Sequence, residues 1–199
     1  MSSTKKPWWH NSKSRTALFA FGMASAIITF YFVFAYIERT FLKEKPIPPV
    51  NAPTELSIPV IGVDALIQTV GVDRSGRMGL PTNFTDVAWY KFGPYPGNQG
   101  SAVIAGHLDT VIDDKAVFAK LSTLKKGDNI YVVDTTKQKV HFRVMAKEVY
   151  DDTKAPLGKI FEQNIPAARL NLITCDGTWN PKTKNYNERL VVYSERVLD

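Results

Sequence analysis

Hydrophobic and polar residues alternate in short runs along most of this chain. ALIQTVGV (65–72), SAVIAG (101–106), NIYVVD (129–134), KVHFRVMAKEVY (139–150), RLNLITC (169–175) and RLVVYSERV (189–197) are rich in β-branched and aromatic residues, which pack well on a pleated surface. Turn-forming clusters at Asp73–Gly79, Gly93–Gly100 and Lys125–Asp128 separate several of them. One stretch, DKAVFAKLSTL (114–124), has Val117, Phe118, Leu121 and Leu124 at three- and four-residue spacings, which predicts a helix. The pattern as a whole predicts an all-β domain with a short helix, closed as a barrel or a sandwich.

Upstream of these runs the pattern changes. Thr16 to Ile37 is an uncharged stretch of 22 residues without a polar face. As a helix rising about 1.5 Å per residue it would span about 33 Å, slightly more than the roughly 30 Å hydrocarbon core of a bilayer. Phe30, Tyr31, Phe32, Phe34 and Tyr36 gather toward its C-terminal end, where interfacial aromatics anchor a span. Ala24-Ser25-Ala26 has the small-x-small form of a signal cleavage site, but it lies mid-run and no comparable site follows Ile37. The segment therefore reads as a retained anchor rather than a cleaved signal. Lys5, Lys6, Lys13 and Arg15 precede it, whereas Glu38, Arg39, Lys43, Glu44 and Lys45 after it nearly cancel. The positive-inside rule then predicts a single-pass protein of the cell membrane, with a cytoplasmic tail over 1–15, a span over 16–37 and an extracellular remainder.

Residues 43–59 (KEKPIPPVNAPTELSIP) hold five prolines, a composition that favours a stiff, extended spacer. The linker is set at 38–53 and the folded domain at 54–199. Charge adds an exclusion. The 199-residue chain carries a formal +6, yet residues 46–199 hold 18 Lys and Arg against 17 Asp and Glu. The basic excess belongs to the N-terminal tail, so no nucleic-acid partner is expected of the body. The pairs Asp113-Asp114 and Asp151-Asp152 lack the ordered spacing of a calcium loop, so neither a metal nor another cofactor is expected.

Cys175 is the single cysteine, which rules out an internal disulfide. NLITCDG places it as the last residue of a predicted strand that opens into the loop TWNPKTKNYNE. Two roles fit it there: a small buried apolar residue, or a nucleophile displayed at a loop mouth. A nucleophilic thiol needs a base, usually an imidazole. His10 falls in the tail, and His141 shares one face of KVHFRV with Lys139 and Arg143, the solvent side of a strand. His107, between SAVIAG and LDT, is the imidazole that remains. Arg189 begins the strand after the Cys175 loop. If that loop closes a hairpin, its fork of donors lies beside Cys175, where it could bind a carbonyl or an oxyanion; otherwise it is a surface arginine at a strand edge.

A strand leading into GHLDT, then the helical stretch, then LITCDG, then NERLVV near the C-terminus, behind an N-terminal anchor, resembles a sortase, most closely the class F group. The resemblance covers residues 54–199. Leu172-Ile173-Thr174-Cys175 is similar to the family's TLxTC-type signature, with Asn171 where threonine is more usual, and His107 and Arg189 fall where the family has its histidine and arginine.

The resemblance implies an eight-stranded β-barrel with one or two short helices, and a cysteine transpeptidase of the cell-wall anchoring type known from Gram-positive bacteria. Such an enzyme cuts an LPxTG-type sorting signal between threonine and glycine, holds the acyl group as a thioester, and passes it to an amine of lipid II or another acceptor. In that scheme Cys175 attacks, His107 protonates the departing amine and later accepts a proton, and Arg189 steadies the carbonyl oxygen. By the same analogy residues 151–168 form one wall of the signal groove, where Pro156, Leu157, Ile160 and Phe161 either touch the signal or pack the loop onto the barrel. Thr174, next to the nucleophile, is a further expected substrate contact. Asp109 and Thr110 are the expected support for His107. Two rivals stand beside this reading. An L,D-transpeptidase is also a cell-wall cysteine enzyme, but NLITCDG lacks that family's tight Ser/His-x-Gly-Cys context. A non-catalytic, membrane-tethered binding module on a sortase-like barrel has no need for all three side chains.

Overall fold

The structure, a computed structural model, describes residues 25–34, 36, 50–110 and 116–198. The expected tail, the ends of the expected span, most of the linker and the Asp113-Asp114 pair lie outside the described residues. The chain divides into two units, Met1–Pro46 and Ile47–Asp199. In the first, residues 25–34 are helical and expose Ile27, Ile28, Phe30, Tyr31 and Phe32. Among the described residues no helix is long and apolar enough to cross a membrane.

The second unit holds eight strands: β1 (Pro53–Ile58), β2 (Val63–Val70), β3 (Val87–Tyr90), β4 (Gly100–Ala105), β5 (Asn129–Asp134), β6 (Lys139–Asp151), β7 (Ala168–Asn180) and β8 (Asn185–Arg196). They close into a barrel in the order β1-β2-β3-β4-β7-β8-β6-β5. All neighbours run antiparallel except β2–β3 and β4–β7. The alternation of the sequence becomes the two faces of this wall. Leu56, Ile58, Ala102, Ile104, Ile130, Val132, Leu170, Leu172, Leu190 and Val192 fill the interior. Burying a leucine, isoleucine or valine in this way contributes about 1.5–3 kcal/mol. Val103, Val191, Tyr193 and Ile173 turn outward and form a second cluster under the β6–β7 segment.

β1 and β3 were not among the expected strands. β1 lies inside the proline-rich stretch, and Pro53 is its first residue, a position where a missing N–H is tolerated. β3 is only four residues long. The helix expected over 114–124 is also absent from its described part, where turns lead into a single 3-10 turn, Leu121–Thr123. Phe118, Leu121 and Leu124 repeat every three residues, and Leu121 N and Leu124 N donate to the carbonyls of Phe118 and Leu121 at 3.0 and 3.2 Å. That is 3-10 spacing rather than the 3.6 of an α-helix. All three side chains are fully buried in the barrel core. The segment is held at the end of β4, where Phe118 N donates to His107 O at 3.0 Å. A Cβ on Gly106 would lie 2.6 Å from the Phe118 ring, so the residue before His107 has to be glycine for this approach.

Candidate active site

The pairing of β4 with β7 sets where the candidate side chains lie. These strands run in parallel with Ala105 opposite Ile173. The pairing continues past the end of β4: Gly106 N donates to Ile173 O at 3.1 Å, and Thr174 Oγ1 donates to Gly106 O at 2.9 Å. His107 follows Gly106 directly, as Cys175 follows Thr174, so both come one residue past this contact. On the other side of β7, Arg189 of β8 is the direct antiparallel partner of Cys175. Ile173 and Val191 face outward, and Cys175 and Arg189 continue that outward set two residues along, while His107 lies two residues past the end of β4.

β7 does not end at Cys175, as the sequence suggested, but runs on to Asn180, and β8 begins at Asn185. The expected loop is therefore largely a hairpin, with a break in register between Asp176 and Trp179. Gly177 sits in that break at φ 81°, and a Cβ there would come within 2.5 Å of Asn187 Oδ1. Glycine takes this positive φ without strain. The bulge follows Cys175 by two residues, which leaves the sulfur on the last regular stretch of the ladder.

Cys175 is half-buried. Burial pushes its thiol above the usual range, the Arg189 guanidinium pulls it down, and the carboxylates of Asp109 and Asp152 push it up again. At neutral pH the resting side chain is accordingly a thiol, and attack needs a proton acceptor. The His107 ring tilts against Phe84 at 4.9 Å between centroids, and its Nε2 lies 3.2 Å from Pro81 O. A carbonyl only accepts, so Nε2 carries a proton, and in the neutral ring Nδ1 holds the free lone pair. Arg189 donates from Nη1 to Tyr186 O at 3.0 Å and Glu188 O at 2.7 Å, and from Nη2 to Asn185 Oδ1 at 2.7 Å. Asp152 Oδ2 lies 3.9 Å from Nη2 and accepts from Asn185 Nδ2 at 2.6 Å. The guanidinium is thus held on three sides and only about one-fifth exposed.

A groove of about 650 Å³ runs along the outer face to Arg189. Ile173 and Val191 line its floor, Val72 and Met78 one wall, and Leu157 and Phe161 the other. The second wall contains a one-turn helix, Leu157–Ile160. Asn171 Nδ2 donates to Ile160 O at 2.7 Å, and Lys159 Nζ pairs with Glu148 at 2.9 Å, so the wall is fastened to β7 and β6. Leu157 is 64% exposed and free to meet a ligand, whereas Ile160 is buried and packs the wall onto the barrel. Asp151 and Asp152 have different partners. Asp151 Oδ1 accepts from Thr153 N at 3.0 Å, a turn contact, while Asp152 faces Arg189.

Two expected supporting roles are corrected. Thr174 points away from the groove, is 3% exposed, and spends its hydroxyl on Gly106 O. It locks β4 to β7 instead of meeting substrate. Thr174→Val is expected to lower the unfolding free energy by about 1–3 kcal/mol, read by denaturant titration, with substrate affinity unchanged. Asp109, two residues beyond His107 in sequence, accepts a hydrogen bond from the Tyr186 hydroxyl and not from the imidazole. Asn185 and Tyr186 were not singled out from sequence, and Asp152 was weighed only as half of an acidic pair. The polar run NYNE just before Arg189 was a cue, but only the hairpin register shows that its members turn back onto the guanidinium.

A family model described as a sortase domain matches residues 56–197. No match is found among curated proteins. Among solved structures, sortase C-1 from Actinomyces oris is 23% identical, with 81% of each chain covered and a TM-score of 0.56. A lid mutant of sortase A from Corynebacterium diphtheriae is 22% identical over 82% of this chain and 78% of that one, TM-score 0.58. Sortase A from Listeria monocytogenes is 22% identical over 75% of this chain and 89% of that one, TM-score 0.56.

Proposed function

The chain belongs to the sortase family of cysteine transpeptidases, and from that premise we propose that it cuts an LPxTG-type sorting signal between threonine and glycine and transfers the acyl group to an amine of the cell-wall precursor. Sortases act on sorting-signal proteins and amine acceptors. In this reading Cys175 Sγ attacks the threonine carbonyl as His107 takes the thiol proton. Arg189 donates to the oxyanion, and the imidazolium returns the proton to the departing glycine amine. The thioester that remains is opened by the acceptor amine, whose proton passes to His107. The observation that carries the reading is the shared outward face of Cys175 and Arg189, direct cross-strand partners, with His107 just past the end of β4, the strand paired to β7 on its other side.

The groove supports a signal with an apolar leading residue, because Leu157, Ile173, Val191 and Met78 line the approach to Arg189. Leu157 is the proposed substrate contact on its wall. Within the family the reading stays with the class F group, on the GHLDT, LITCDG and NERLVV segments. We also read residues 16–37 as the anchor of an extracellular enzyme on a Gram-positive cell. The exposed apolar side chains of helical residues 25–34 support this, and membrane fractionation checks it, since release of a chain shortened near Ala26 would contradict it.

The test of function is direct. The full chain in detergent, given an LPxTG peptide and a glycine-based amine, is expected to yield a product joined at threonine. Recovery of uncut peptide alone would contradict the reading.

A further inference from the structure

Tyr186 joins the two sides of the reactive centre. Its hydroxyl donates to Asp109 Oδ2, 77 residues away in sequence and two beyond His107. Its main-chain carbonyl accepts from Arg189 Nη1 at 3.0 Å, and its ring stands edge-on to Trp179 across the hairpin at 5.3 Å. We propose that Tyr186 is a positioning residue for the reaction, holding the loop that follows His107 and the Arg189 guanidinium in one register about Cys175. The proposal rests on the roles given above to those three residues.

The chemistry of the contact adds an electrostatic consequence. The charged groups that act on the thiol are Arg189 from β8, Asp109 from the loop after β4 and Asp152 just past the end of β6, and the titratable imidazole of His107 lies two residues past the end of β4. The guanidinium favours the thiolate that must form during attack, and the two carboxylates oppose it. A hydroxyl donating to Asp109 takes up part of that carboxylate's charge and keeps it on the hairpin. Tyr186 therefore moderates the group that works against the thiolate, while its own carbonyl fixes the group that works for it.

Because Cys175 is the only cysteine, the pH dependence of iodoacetamide alkylation of the full chain reports this thiol alone. Tyr186→Phe keeps the ring on Trp179 and the carbonyl on Arg189 but frees the carboxylate, so its alkylation profile is expected to move to higher pH. Asp109→Asn keeps an acceptor for the hydroxyl and removes the charge, so its profile is expected to move to lower pH. The double variant should follow Asp109→Asn, since the hydroxyl acts through the carboxylate. Turnover in Tyr186→Phe should fall about five- to tenfold in kcat with KM little changed, the rate equivalent of one ordinary hydrogen bond. Opposite shifts in the two single variants support the proposal. Profiles that coincide with wild type, or that move in the same direction, overturn it. If wild type still forms a thioester, such a result leaves the transpeptidase reading in place, whereas a wild type without thioester removes that reading.

Discussion

Cys175→Ala is expected to bring transpeptidation down to background, a loss of about 10⁴-fold or more, with little change in the stability of the barrel. The chain has one cysteine, so no second thiol can take over the acyl group. The stability half of the expectation follows from the location of the side chain. It lies half-exposed on the outer face of β7, and the interior contacts of that strand are made by Leu170 and Leu172. Removing a sulfur there leaves no cavity in the core and should cost less than about 1 kcal/mol. Cys175→Ser should be nearly as inactive, because a hydroxyl is far harder to deprotonate than a thiol whose resting form is already protonated. Steady-state peptide cleavage with a thermal melt on the same samples checks both halves. Residual turnover well above background in Cys175→Ala would place the nucleophile elsewhere.

Arg189→Lys is expected to lower kcat by about 10²- to 10³-fold, the usual cost of losing a preorganised donor to an oxyanion. The substitution retains the positive charge, so the prediction separates geometry from electrostatics. In the structure three donors of the guanidinium are committed to Tyr186 O, Glu188 O and Asn185 Oδ1, which fixes the plane of the group before any substrate arrives. An ammonium offers a compact point charge with no such fork. The lysine variant should therefore keep much of the Coulombic help to the thiol while losing the aimed hydrogen bond. Near-normal kcat in Arg189→Lys would return the residue to a surface charge at a strand edge.

Much of this site was legible before any coordinates, for reasons that differ residue by residue. Six of the eight strands announce themselves by alternation, and the same alternation sorts Ile173 and Cys175 onto one face and Leu172 and Thr174 onto the other. The neighbourhood of Cys175 and Arg189 follows from a hairpin between adjacent strands, and it forms in that register. The failures have equally local causes. β1 was hidden by flanking prolines, and β3 by its length of four residues. Phe118, Leu121 and Leu124 carry a three-residue period that fits either helix type over so short a stretch. Asp109 was assigned to His107 because the two are close in sequence, yet a strand end turns successive side chains apart, and the carboxylate finds Tyr186 from the far end of the chain. Thr174 was assigned to substrate by the same adjacency, although period-two alternation already places it opposite Cys175. Sequence distance misled in both cases where strand geometry would have corrected it.

The measurement that bears most directly on the central claim is the intact mass of the full chain after brief exposure to an LPxTG peptide without an acceptor amine. The expected result is an added mass equal to the peptide up to its threonine, present in wild type, released by hydroxylamine and absent from Cys175→Ala. An unmodified wild-type mass under conditions where peptide is consumed, or the same adduct persisting in Cys175→Ala, would contradict it.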